Sequence, residues 1–219
     1  MRRSVLMALW VFRVTFGLAW TSEAEFTTAA TNALVNRAAL ADVVFTNNLD
    51  EFIRSSPSTN GLLSAKLVEV ASRLELFEQT HDESALTAGL DLASNRVQSA
   101  GDDHAHWQSM AARLLLVGGL CLAGEDARAF SVATNALVEL DSSDCTEGND
   151  VVAQALLRYH DAEGLNIYQT IQVFAALTAA KRGEGAVATN FVRALPMRYQ
   201  EMVPLILSAR GKGMERLRD

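Results

Sequence analysis

Lysine, cysteine and proline are scarce in this 219-residue sequence, with three, two and three copies respectively. The lysines, Lys66, Lys181 and Lys212, stand far apart, and Lys+Arg total 19 against 26 Asp+Glu, a formal net charge of −7. Phosphate backbones are held by clustered cations. An acidic chain without a basic patch therefore argues against nucleic acid as its partner. Two cysteines allow no CxxC pairs, and neither HExxH nor a Walker-type glycine loop occurs. With so few prolines, 34 alanines and 29 leucines favour helix over sheet. Beyond residue 24 no apolar run approaches the roughly 20 residues needed to span a bilayer.

What is present begins with MRRSVLMALWVFRVTFGLAWTSEAEF. Arg2 and Arg3 precede an apolar stretch, and small residues follow at Gly17-Leu18-Ala19 and again at Ser22-Glu23-Ala24. That order is similar to a secretory signal peptide with two possible junctions. Arg13 interrupts the apolar run, and a charge there opposes insertion. Residues 1–24 are expected to be an export signal or an N-terminal anchor; the alternative is an ordinary first helix. Cleavage after Ala19 would remove Arg2, Arg3 and Arg13 and no acid, leaving the chain more acidic.

Hydrophobic spacing over the body predicts an all-α fold, with residues 25–209 as one helical domain and residues 210–219 as a flexible tail. Residues 27–55 read as one long helix or two joined ones, with Ala30, Leu34, Ala38 and Ala41 on one face. Turn chemistry at residues 55–61 ends that stretch. Helices follow at about 62–79, from Ala85 to Ala93, 104–123, 127–140, 150–161, 165–182 and 184–195. Turns fall at residues 80–83, 101–103 and 124–126, and residues 141–149 form a polar linker. Asp82 or Thr80 is placed to cap the helix after the first turn. Pro196 closes the helix before it, and residues 198–209 read as a last helix.

Paired amphipathic helices around short turns cannot bury both apolar faces alone, and stacking them yields an array. The segment from Arg113 to Asp141 resembles a tetratricopeptide repeat. It carries Leu116, Gly118 and Leu120 on its first helix and Gly124-Glu125 at the turn. Ala129 follows five residues past Gly124, and Ala136-Leu137 seven further on. A fainter copy has Ala175 and Ala179, then Gly183-Glu184, Ala188 and Leu195. Another keeps Ala85 but has Thr80 in place of the turn glycine. The words ATNALV at residues 30–35 and 133–138 are identical. The resemblance implies a short tetratricopeptide-like solenoid across residues 62–195; the alternative is an irregular helical bundle.

Asp102-Asp103-His104-Ala105-His106 is the one dense cluster of metal-ligand types. Side chains two apart do not share a helix face, so helix capping by Asp102 or Asp103 is the simpler reading. No metal, cofactor or catalytic residue is assigned. Glu69, Glu75 and Glu78 read as a solvated face. Tyr159-His160-Asp161 has the makings of an acid–base dyad, against a plain reading of a surface histidine at a helix end. Cys121 and Cys145 sit roughly 20 Å apart in level on a helical hairpin. That is too far for a disulfide, so both thiols are expected reduced and Cys121 buried. Trp107, Phe130, Phe174 and Phe191 are placed in the core. Tyr159, Tyr168 and Tyr199 are assigned to boundaries.

Tetratricopeptide-like proteins act as scaffolds. The resemblance thus implies a non-enzymatic protein that binds a protein or peptide, and the N-terminal segment makes it an expected exported protein, periplasmic or extracellular. Asn32, Arg73, Arg113 and Arg128 are scattered candidates for gripping an acidic peptide terminus. Two alternatives stand beside it. One is a metal-binding protein or hydrolase using His104 and His106. The other is a structural helical domain docked to a membrane by its N-terminus, and a cytoplasmic location goes with the ordinary first helix.

Overall fold

The computed structural model describes residues 20–56, 58–99, 106–139, 150–160, 162, 164–197, 199 and 200, with His106 described in its backbone only. Among these residues the fold is all-α, without strands. Nine α-helices run in order: α1 (Glu23–Val35), α2 (Val43–Ser55), α3 (Thr59–Thr80), α4 (Glu83–Ser99), α5 (His106–Leu122), α6 (Asp126–Glu139), α7 (Val151–Tyr159), α8 (Ile167–Lys181) and α9 (Gly185–Arg193). A 3-10 turn, Arg37–Ala41, joins α1 to α2. The chain divides into two compact units, Met1–Leu92 with Asn149–Asp161, and Ala93–Gly148 with Ala162–Asp219.

In the first unit most helix starts carry a side-chain cap that satisfies otherwise unpaired backbone N–H groups. Ser22 accepts from Glu25, Asp42 from Val44 and Phe45, Ser58 from Gly61, and Asp150 from Val152 and Ala153. Asp82 accepts from the Ser84 N–H at 2.9 Å, as its position suggested. The preceding reversal uses His81 in the left-handed region, φ 56°, whose N–H donates to the Phe77 carbonyl. Of the two readings of residues 27–55, one long helix or two joined ones, the structure has two helices. The 3-10 turn advances three residues per turn instead of 3.6, so the stripe from Ala30 and Leu34 does not continue. Ala38 is exposed and Ala41 half-buried.

The core of this unit opens on Trp20. Its ring centroid lies 5.7 Å from Phe26, 5.4 Å from Phe45 and 6.3 Å from Phe52, and Phe26 stacks on Phe52 at 4.5 Å. All four are buried. The residue-23 start of α1 and the packing of Trp20 carry the folded body back into the 1–24 segment. Helix α7 returns from far along the chain to pack on α1. Gly89 of α4 lies against Arg73 and Leu74 of α3. A Cβ there would stand 3.1 Å from Leu74 Cδ2 and 3.2 Å from Arg73 Cβ.

In the second unit α5 and α6 form one hairpin, and α8 and α9 another. Helix α8 packs on both α6 and α5. The two reversals repeat one hydrogen-bond pattern. Gly124 has φ 72° and Gly183 φ 79°. Gly124 N–H donates to the Cys121 carbonyl and Glu125 N–H to Leu120. Gly183 N–H donates to Ala180 and Glu184 N–H to Ala179. This is the left-handed helix ending that glycine accepts at no steric cost. Five residues past each glycine an alanine is buried, Ala129 at 0% and Ala188 at 3% exposure. Ala176, Val192 and Leu195 then form a core with Val173, Phe191 and Tyr199 beside it.

Several sequence expectations about side chains change here. Trp107, Phe130, Phe174 and Phe191 are half-buried, whereas Tyr159, expected at a boundary, is buried. Cys121 is half-buried instead of buried, because it sits at the last turn of α5 beside the reversal. Cys145 and nearly all of the helix expected over residues 198–209 lie outside the described residues.

Candidate functional site

The densest polar arrangement among the described residues lies in the first unit and centres on Arg37. The 3-10 turn sets this side chain against α3, where its Nε donates to Glu75 Oε2 at 3.0 Å. Its Nη2 pairs with Glu78. Glu75 is buried at 6% exposure, and its other oxygen accepts from Gln79 at 3.0 Å. The guanidinium carbon stands 4.8 Å from the centre of the Tyr159 ring, a cation–π contact that ties α7 to the same point. Tyr159 meets His160 edge-on at 5.0 Å. Ser72 anchors the turn from beneath, donating to the Leu40 carbonyl at 2.6 Å.

Burial raises the Tyr159 phenol above its ordinary value, against the partly offsetting Arg37 charge. Burial pushes the His160 imidazole down to about 3, and Arg37 repels its proton further. Both groups are therefore neutral at pH 7, and neither exchanges a proton readily there. The arrangement is suited to holding a helix in place, with one cation shared by two carboxylates and a ring. His160 is the C-terminal cap of α7, and its backbone N–H bonds back to Leu156 and Leu157. Asp161, its supposed dyad partner, lies outside the described residues.

The reading of Glu69, Glu75 and Glu78 as one solvated face is corrected at Glu75. Counting back in steps of four and three from Glu75 gives Ala71, Val68 and Ser64, all buried. Glu75 thus falls on the core stripe and takes a cation with it. Burial raises the Glu69 carboxyl, opposed by Arg73. Arg37 itself was missed. It follows a break at Asn36, and nothing in local spacing says which way a 3-10 turn points its side chains.

The candidate anion-gripping residues divide between the two units. Asn32 is exposed on α1 and Arg73 half-buried on α3, both in the first unit. In the second unit Arg113 pairs with Glu139 at 2.6 Å and Arg128 with Glu125 at 3.2 Å. Asp102, Asp103, His104 and the side chain of His106 lie outside the described residues. Among the described residues no group of three His, Cys, Asp or Glu side chains is placed to hold a metal, and no helix is long and apolar enough to cross a membrane. Compared with protein-family models, curated proteins and solved structures, the chain matches none.

Proposed function

We propose that this chain is a tetratricopeptide-like helical scaffold, exported from the cytoplasm, that binds a protein or peptide partner without turning over a substrate. The observation that carries the reading is the likeness of the two hairpins in the second unit. Each reverses through Gly-Glu with the same two backbone bonds, and each buries an alanine five residues later. The second helix of the first hairpin, α6, lies on the first helix of the next, α8. That packing supports reading the two hairpins as neighbours in a stacked repeat.

Ties between the hairpins support the stacking. Lys181 Nζ at the end of α8 meets Asp126 Oδ1 at the start of α6 at 2.7 Å. Phe130 and Phe191 meet edge-on at 6.3 Å, with the Arg182 guanidinium 4.8 Å above Phe130. Residues 114–120 of α5 are all buried. Leu122 at the end of α5 is one exposed apolar side chain of this unit. Val138, 86% exposed on α6, and Val187 on α9 are others.

The test is capture of partners on the full chain, followed by calorimetric titration of each. A double Gly124→Val, Gly183→Val variant, checked for retained helix by circular dichroism, serves as the hairpin-distorted control. Saturable binding at fixed stoichiometry that weakens at least tenfold in the variant is expected. Binding indifferent to the variant, absence of saturable binding, or turnover of a substrate by the purified chain would overturn the reading.

A further inference from the structure

We infer that the chain is a substrate for a signal-peptidase-type protease that cuts the peptide bond between Ala19 and Trp20, and that the junction after Ala24 is not used. The inference rests on the export reading and sharpens it to one bond. Sequence alone offers both junctions, because Gly17 with Ala19 and Ser22 with Ala24 each put small residues one and three positions before a cut.

The structure separates them. A cut after Ala24 would remove Trp20, whose ring packs on Phe26, Phe45 and Phe52 in the core of the first unit. It would remove Ser22, the cap whose Oγ accepts from the Glu25 N–H. It would remove Thr21, whose N–H and Oγ donate to Glu25 Oε2 at 2.8 and 2.9 Å. It would also remove Glu23, which accepts from Ser58 at the start of α3 at 2.9 Å. The Ala24–Glu25 bond itself lies inside the first turn of α1. A cut there would leave the mature chain without the cap and the first residues of α1. A cut before Trp20 keeps Trp20, Thr21, Ser22 and Glu23 and all of these contacts in the mature chain; it adds one water, leaving a carboxylate on Ala19 and an α-ammonium on Trp20. The new ammonium stands at the helix end that carries Glu23 and Glu25, which offset its repulsion from the helix dipole.

The experiment expresses the full chain in a secretion-competent bacterial host and reads the N-terminus of the exported protein by intact mass and Edman sequencing. Wild type is expected to begin at Trp20. Ala19→Phe, with a bulky residue before the bond, is expected to accumulate uncut precursor. Ala24→Phe, at an exposed position of α1, is expected to be cut at Trp20 like wild type. A mature protein beginning at Glu25, or cutting blocked by Ala24→Phe, overturns the assigned bond while leaving export standing. A chain retained in the cytoplasm with its first residues intact overturns both.

Discussion

A single arginine does the work of joining three chain segments in the first unit. Arg37 bridges the buried Glu75, the more exposed Glu78 and the Tyr159 ring. Glu75 without that cation would be a buried charge left unpaired, the case in which removing one partner costs most. His160 sets the pH response. Its folded value, about 3, lies below the ordinary 6.5, so the unfolded chain binds the proton first. Its contribution to stability is complete above pH 6.5 and is lost as pH falls from there towards 3, with a slope of up to about 1.4 kcal/mol per unit. Arg37 opposes its protonation, and the Tyr159 ring meets it edge-on at 5.0 Å. Urea midpoints measured from pH 7.5 to 5 should fall for wild type and fall distinctly less for His160→Gln. Parallel pH profiles for the two would show that the imidazole is not excluded from protonation.

At the scale of the element, much was readable. Apolar steps of three and four residues placed most body helices within a few residues of their ends, though α4 runs on to Ser99, well past the expected Ala93, and Asp82 and Gly124 marked a cap and a reversal where those now stand. Two joined helices over residues 27–55 were one of the readings, but the place of the join at residues 36–42 was not readable, because alanines fit an α-helix and a 3-10 turn alike. The burial of Glu75 was available in the spacing but was obscured by its charge. The candidate metal cluster at residues 102–106 falls outside the described residues. Glycine gives a clean test of the reversals. Gly124 and Gly183 have positive φ and open space around a would-be Cβ, so alanine there costs backbone strain alone. Each substitution should lower stability by about 1–2 kcal/mol. Gly185, in α9 with equal room and no positive φ, should gain up to about 1 kcal/mol as alanine. Thermal denaturation of the three variants checks the ordering, and equal effects at all three would refute the left-handed assignment.

Across the whole molecule, the chain builds one unit from residues far apart in sequence, α1 to α3 with α7, and a second from two like hairpins. All-helical character followed from composition and periodicity. The two-unit division did not, because the return of α7 to α1 depends on contacts no local pattern encodes. The account turns on the second unit's hairpins being stacked units of one kind. One apolar contact between them is the edge-on pair Phe130 and Phe191, with the Arg182 guanidinium over Phe130. A double-mutant cycle on Phe130→Ala and Phe191→Ala, read from urea unfolding, measures it. Stacked hairpins predict a coupling of about 0.5–1.5 kcal/mol; strictly additive losses would contradict the stacking.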